Sequence, residues 1–224
     1  MASQDDDATY DGARDESGRP DGEGTCVWKN GDTYHGSWRA GMKEGHGTYR
    51  WSNGDEYDGD WIENSRTGTG KLRTCDGDTY EGSWLDGKKH GHGRYVWANG
   101  DAYEGDWADD QREGFGVFTR VAGSVRYEGH WHADAMEGAG TMESEIGTYQ
   151  GEWHQGKRHG QGVFNSLRTG DIYNGAWEAD MKQGYGKYAW ATGHRYEGNW
   201  LNDAMHGKGT FFPLDEPPEE RVWP

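Results

Sequence analysis

Tyrosine, glycine and tryptophan mark alternate positions along this chain, with polar residues between them, as in Tyr80-Glu81-Gly82-Ser83-Trp84. That two-residue alternation predicts a β-strand with Tyr80, Gly82 and Trp84 on one face and Glu81 and Ser83 on the other. After a short link of Asp, Gly and Lys, a second alternating run, Gly91-His92-Gly93-Arg94-Tyr95-Val96-Trp97, predicts the return strand of a hairpin. Asn30-Gly31, Asn53-Gly54 and Asn99-Gly100 are turn signals between one hairpin and the next.

The pattern recurs. Tyr-x-Gly begins at Tyr10, Tyr34, Tyr57, Tyr80, Tyr103, Tyr127, Tyr149, Tyr173 and Tyr196, at spacings of 22 to 24 residues. Counted from the opening tyrosine, glycine returns at offsets +2, +11 and +13, tryptophan at +4, and an aromatic, Leu or Met side chain at +15. This period accounts for a composition with 39 Gly, 13 Trp and 13 Tyr in 224 residues. Few aliphatic residues and a net charge of −17 would by themselves suggest disorder, but an aromatic content of 14% argues for order. Glycine inside a strand costs roughly 0.5–1 kcal/mol relative to alanine. Its recurrence at Gly82, Gly91, Gly93, Gly105, Gly114 and Gly116 therefore predicts structural glycines, with neighbouring rings lying flat over bare backbone. A lone hairpin is marginal, so stability is expected from stacked neighbours.

Tyr-x-Gly-x-Trp-x-x-Gly-Lys-x-His-Gly-x-Gly-x-Tyr, read from Tyr80 to Tyr95 and nearly again from Tyr149 to Phe164, resembles the MORN (membrane occupation and recognition nexus) repeat. The resemblance spans residues 10 to about 212. It implies an all-β fold: an elongated, single-layer antiparallel sheet of nine consecutive hairpins, which at ~4.8 Å per strand would extend on the order of 85 Å. The first repeat departs with Arg14 in the tryptophan position, and Asn64, Asp110, Asp134, Asp180 and Asp203 replace the +7 glycine, a change that turns tolerate. The expected organisation is an acidic, flexible N-terminus over 1–9, with a flexible lead-in extending to about residue 21, the repeats over 10–212, and a Pro-rich tail over 213–224. The tail is open to two readings, a cap on the last hairpin or a docking segment, with Phe211, Phe212 and Trp223 as its contact residues.

The two faces of such a sheet differ. The ladder of Tyr57, Trp61, Tyr80, Trp84, Tyr103, Trp107, Tyr127, Trp131, Trp153, Trp177 and Trp200 either packs only upon itself or serves as a protein-interaction face. A single layer is expected to leave the outer surface of these rings wet, and large exposed aromatic surface marks partner sites. The opposite face reads as acidic, with Asp58, Asp60, Glu81, Glu104 and Asp106.

Forty acidic against 23 basic residues argue against nucleic acid and anionic lipid as partners. Apolar runs reach only four residues, as at Tyr95 to Ala98, too short for a membrane span or signal core. Cys26 and Cys75 form no CxxC pair or disulfide framework, which suits a reducing compartment. The ten histidines show no ligand spacing, so no metal site or cofactor is expected, and no catalytic constellation emerges. MORN-containing enzymes carry a separate catalytic domain, and the residues outside the repeats leave no room for one in this sequence. A non-catalytic protein is expected.

Small acidic chains made almost wholly of such repeats are similar to the radial spoke head proteins of motile cilia. The resemblance implies a structural subunit of the ciliary or flagellar axoneme that binds other spoke head proteins and relays mechanical signals from the central pair to dynein. Homo- or hetero-dimers and a cytoplasmic, cytoskeletal location follow from the same comparison. The alternative is a membrane-associated scaffold, as in junctophilins and protist MORN proteins. Phosphoinositide-containing vesicles should retain the protein weakly near physiological salt, because its net charge opposes binding. Strong, salt-sensitive retention in a sedimentation assay would instead identify the membrane scaffold.

Overall fold

The computed structural model describes residues 8–214 and 216–224. The expected N-terminal segment over 1–9 lies mostly outside them, and residues 9–21, expected to be a flexible lead-in, are instead a strand, a turn and the start of the next strand. Among the described residues there is no helix. Two compact bodies divide the chain, one ending at Gln111 and the other running from Arg112 to Pro224.

The first body contains β1 (Thr9–Arg14), β2 (Pro20–Val27), β3 (Thr33–Arg39), β4 (Met42–Arg50), β5 (Glu56–Ile62), β6 (Ser65–Arg73), β7 (Thr79–Leu85), β8 (Lys88–Val96) and β9 (Ala102–Ala108). The second contains nearly all of β10 (Gln111–Arg120), then β11 (Val125–His132), β12 (Ala135–Ser144), β13 (Gly147–His154), β14 (Lys157–Ser166), β15 (Ile172–Glu178), β16 (Met181–Ala189), β17 (Arg195–Leu201), β18 (Ala204–Phe212) and β19 (Glu219–Trp223). Within each body every strand pairs antiparallel with its chain neighbours. The all-β hairpin array expected from the sequence is what forms.

Two kinds of turn alternate. From the second repeat on, the turn inside a repeat is two residues long, for example Glu63-Asn64 with φ of 48° and 70°, or Asp109-Asp110 with 48° and 72°. Both residues are left-handed, as a type I′ hairpin requires, and Asn and Asp tolerate that region. Between repeats the turn varies from two to five residues, and in the five-residue turn between β4 and β5 Trp51 donates its N–H to the Asp55 carbonyl at 2.9 Å.

Register then lines the glycines up. In the first body Gly12, Gly24, Gly36, Gly47, Gly59, Gly70, Gly82, Gly93 and Gly105 pair across successive strands as one row perpendicular to them. Gly116 and Gly129 begin the corresponding row of the second body. Over this row lie the +0 tyrosines. A methyl group added to Gly93 would sit 2.5 Å from Cζ and 2.6 Å from Cε2 of Tyr80, so that ring occupies the space a side chain would take. Gly91 serves differently: with φ of 60° it sits at the bulge that follows the short turn, and Gly114 shares its left-handed backbone with φ of 63°.

Tryptophan locks the row. Each +4 indole donates Nε1–H to the carbonyl of the +13 glycine in the preceding repeat, as Trp84 does to Gly70 at 3.2 Å and Trp107 to Gly93 at 3.1 Å. Within a body the indole is edge-on to two tyrosines, its own and the preceding one: Trp84 lies 5.1 Å from Tyr80 and 5.2 Å from Tyr57. The outcome in the first body is an alternating zipper of Tyr10, Trp38, Tyr34, Trp61, Tyr57, Trp84, Tyr80, Trp107 and Tyr103. Edge-to-face pairs are worth about 0.5–1.5 kcal/mol each beyond the area they bury.

Two glycines separate ring contact from backbone strain. Gly93→Ala should destabilise by ~2 kcal/mol or more, because the Tyr80 ring cannot stay where it is. Gly156→Ala, with φ of 77° and nothing within 4 Å of the added methyl, should cost only about 1 kcal/mol. Equal losses in chemical denaturation would refute the ring-over-glycine account.

Candidate interaction surfaces

The zipper face differs from expectation. Tyr57, Tyr80, Tyr103 and Tyr127 are 0% exposed, and Trp61, Trp84, Trp107, Trp131, Trp153, Trp177 and Trp200 are 4–6% exposed. The expectation of wet ring faces offered to partners is corrected: these residues form the core of their own chain. What covers most of them is a long cation at offset +9, which the aromatic pattern did not reveal; in the repeat that begins at Tyr127 that offset holds Met136 instead. Lys43 Nζ lies 5.1 Å from the Trp61 ring and 4.8 Å from Tyr49, and the Arg66 guanidinium 4.3 Å from Trp84. Lys89 sits over Tyr95 and Trp107, Arg112 over Trp131, Arg158 over Trp177 and Lys182 over Trp200. Lysine and arginine stems cover apolar surface while their charges stay near water, and each cation–π contact adds about 0.5–2 kcal/mol.

The +7 aspartates and asparagine turn out to be clamps. Asp110 accepts the Lys89 N–H at 3.0 Å while its own N–H donates to the Lys89 carbonyl at 3.0 Å, tying one hairpin turn to the preceding repeat. Asn64 does the same with Lys43, Asp134 with Arg112, Asp180 with Arg158 and Asp203 with Lys182. At the opposite strand ends, an aspartate two residues before the repeat tyrosine bridges successive turns. Asp32 accepts from the Tyr49 hydroxyl at 2.7 Å and the Ser52 N–H at 2.8 Å; Asp171 accepts likewise from Tyr188 and Ala191. The Tyr188 hydroxyl bond, and then the Ala191 N–H, hold the Asp171 carboxyl below the usual carboxylate range.

The polar face is also not uniformly acidic. Register places Asp58 opposite Lys71, Lys71 opposite Glu81, Glu81 opposite Arg94 and Arg94 opposite Glu104, a cross-strand row of alternating sign. Lys71 Nζ lies 2.6 Å from Glu81 and Arg94 Nε 3.6 Å from Glu104. This row, with His92, lines a groove of about 870 Å³ on the first body. On the second body Arg126, Glu128, His130, Thr141, Glu143 and Gln150 border a smaller one of about 600 Å³. Among the described residues no cluster of His, Cys, Asp or Glu could hold a metal ion.

The tail completes the second body. β19 pairs with β18, setting Trp223 opposite Gly207, the place that Trp200 holds opposite Gly184. Trp223 stands edge-on to Tyr196 at 4.8 Å, filling the position of the next repeat's indole. Glu219 and Arg221 occupy the tyrosine and glycine positions, so the ring row ends there. Phe211 lies between Tyr196 and Glu219, and the Arg195 guanidinium covers Phe212 at 5.1 Å.

A tandem array of β-hairpins with glycines under tyrosines defines the class, a repeat protein built by stacking identical units. The profile of the MORN repeat matches at residues 16–33, 34–56, 57–79, 80–102, 103–125, 127–148, 149–166, 173–195 and 196–213, and the chain belongs to the MORN-repeat family. No curated protein matches it. Among solved structures it is similar to the TCP domain of SAS-4 (dCPAP) from Drosophila melanogaster, in complex with a proline-rich motif of Ana2, at 14% identity and a TM-score of 0.41, covering 70% of this chain and 85% of that one. A virginiamycin B lyase from Staphylococcus aureus aligns at 9% identity over 96% of this chain and 88% of its own, with a TM-score of 0.17. Scores this low bear on neither fold nor function.

Burial, and then the hydrogen bond to Asp171, push the Tyr188 phenol up to about 12; burial chiefly does the same for Tyr149. Folded values above the unfolded value of about 10 mean that their contribution is complete below pH ~10 and is lost as pH rises toward 12. Tyrosinate absorbance from the buried rings should therefore appear together with unfolding in one alkaline step. Ionisation of these rings near pH 10 with tryptophan fluorescence unchanged would show that they are accessible in the folded state.

Proposed function

We propose that this protein is a non-catalytic scaffold subunit of a cytoskeletal assembly, and that the assembly is the radial spoke head of the ciliary axoneme. The observation that carries this reading is a hairpin array whose aromatic face is closed by its own cations, while the grooved polar face keeps charges of both signs at fixed spacing. Such a face suits docking of other polypeptides, with the order along the row selecting partners by charge complementarity. In a spoke head it would hold neighbouring subunits and transmit load from the central pair toward dynein. The chain resembles the spoke head MORN proteins in size, acidity and near-total repeat content.

In a ciliated cell the tagged protein should remain with axonemes after detergent and leave with the spoke fraction under salt extraction. Lys71→Glu together with Arg94→Glu should reduce its incorporation at least several-fold; because the reversal sets acids opposite Asp58, Glu81 and Glu104, at a cost of up to about 1 kcal/mol per facing pair, far-UV circular dichroism checks that the variant is folded. Absence of the wild-type protein from axonemes would reject the spoke assignment. Incorporation unaffected by the double reversal would reject the charged row as the docking face.

A further inference from the structure

The first repeat leaves one strand edge open. Among the described residues β1 pairs with β2 alone, and Gly12, Ala13 and Arg14 are exposed. Tyr10, the first tyrosine of the series, is only half-buried, whereas Tyr34, Tyr57, Tyr80 and Tyr103 are 0% exposed.

The backbone direction of β1 follows from its neighbours. Trp28 donates its N–H to the Asp32 carbonyl at 2.9 Å, so, counting back by twos, Cys26 and Gly24 turn their backbone groups toward β3. Val27 and Thr25 remain for β1, where they meet Thr9 and Asp11. Tyr10 and Gly12 therefore aim N–H and C=O outward. Asp15 donates its N–H to Arg19 at 2.9 Å, which turns Asp15 inward and Arg14 outward. Tyr10, Gly12 and Arg14 thus present three consecutive outward-facing positions.

We propose that this edge pairs antiparallel with β1 of a second copy, about a two-fold axis through Gly12. In that register Gly12 meets Gly12 of the other copy, extending the glycine row. Tyr10 meets Arg14, and the three outward positions satisfy one another. The cation–ring chemistry is already local, with the Arg14 guanidinium 4.8 Å over Tyr10 within the chain. Asp11 falls opposite Ala13, so no like charges face each other. Within a chain of net charge −17, Thr9–Arg14 carries one acid and one base and is neutral. The C-terminal edge is built otherwise: β19 carries Glu219, Glu220 and Arg221, with Pro217 and Pro218 before it and Pro224 after it, features that discourage strand addition.

Sedimentation velocity of the full chain should show a concentration-dependent species of twice the 25.2 kDa monomer mass and nothing larger. Ala13→Asp, which sets Asp opposite Asp11 of the partner copy twice over, should weaken the dimer ~5-fold or more, and Ala13→Lys should tighten it by a similar factor. Ala13 is exposed, and far-UV circular dichroism checks that both variants are folded. In a Cys75→Ser background, Asp11→Cys with Ala13→Cys should give a disulfide-linked dimer on oxidation, because directly opposite non-hydrogen-bonded Cα atoms lie ~4.5 Å apart. A strictly monomeric protein would overturn the proposal, as would a dimer indifferent to both charge variants. Open-ended polymers would show β1 adding to a different edge and would overturn it too.

Discussion

A tyrosine ring lying where a glycine side chain would otherwise be is the contact on which everything else in this protein depends. Tyr80 covers Gly82 and Gly93 at once, on two hydrogen-bonded strands, and its hydroxyl donates to the Ser83 carbonyl at 2.9 Å. One ring therefore fixes the pleat, the register and the path of the strand that bears it. The Trp84 indole then packs between this tyrosine and Tyr57, so each repeat is complete only when its neighbour is present. A chain almost without aliphatic residues thereby gains a dry interior, made of rings and backbone instead of interlocking Leu and Val.

The same arrangement sets what can be offered to other molecules. Because Lys43, Arg66 and Lys89 lie over the zipper, the face that appears most adhesive in composition is consumed in holding the fold. Recognition is left to the polar rows, where Asp58, Lys71, Glu81, Arg94 and Glu104 alternate in sign, and to the strand edges. Specificity on such surfaces comes from the order of charges and is correspondingly sensitive to salt.

The strands inside the repeats and the sites of the glycines were legible in the sequence, because a two-residue alternation and a fixed period leave few ways to place Tyr80, Gly82 and Trp84, whereas cross-strand register was not. The cover over the rings was not. Alternation says which face Lys89 shares but not how far its stem reaches, and the reach across strands to Trp107 depends on the bulge at Gly91. Reading the acids at +1 and +3 without their cross-strand partners made the polar face look uniformly acidic; Lys71 and Arg94 are set beside them only by register. The terminal strand escaped because Glu219 and Arg221 replace the tyrosine and glycine that define the period. Its one signal was Trp223, 27 residues after Tyr196, the same interval that separates Trp61 from Tyr34.

The two kinds of turn give the protein unequal capacity for insertion. From the second repeat on, the short turns number two residues, from Ala40-Gly41 to Asn202-Asp203, and their backbone is held by the clamps of adjacent repeats. The turns between repeats already vary, from the two residues between β12 and β13 to the four between β10 and β11 and the five between β4 and β5. Beyond the first repeat, length variation in this chain is thus confined to one set of strand ends. A loop grown in evolution, or a tag placed by an experimenter, belongs at the ends that carry no ring of their own, such as the turn over 121–124, and not where Trp51 packs on Tyr49 or Trp97 on Tyr95.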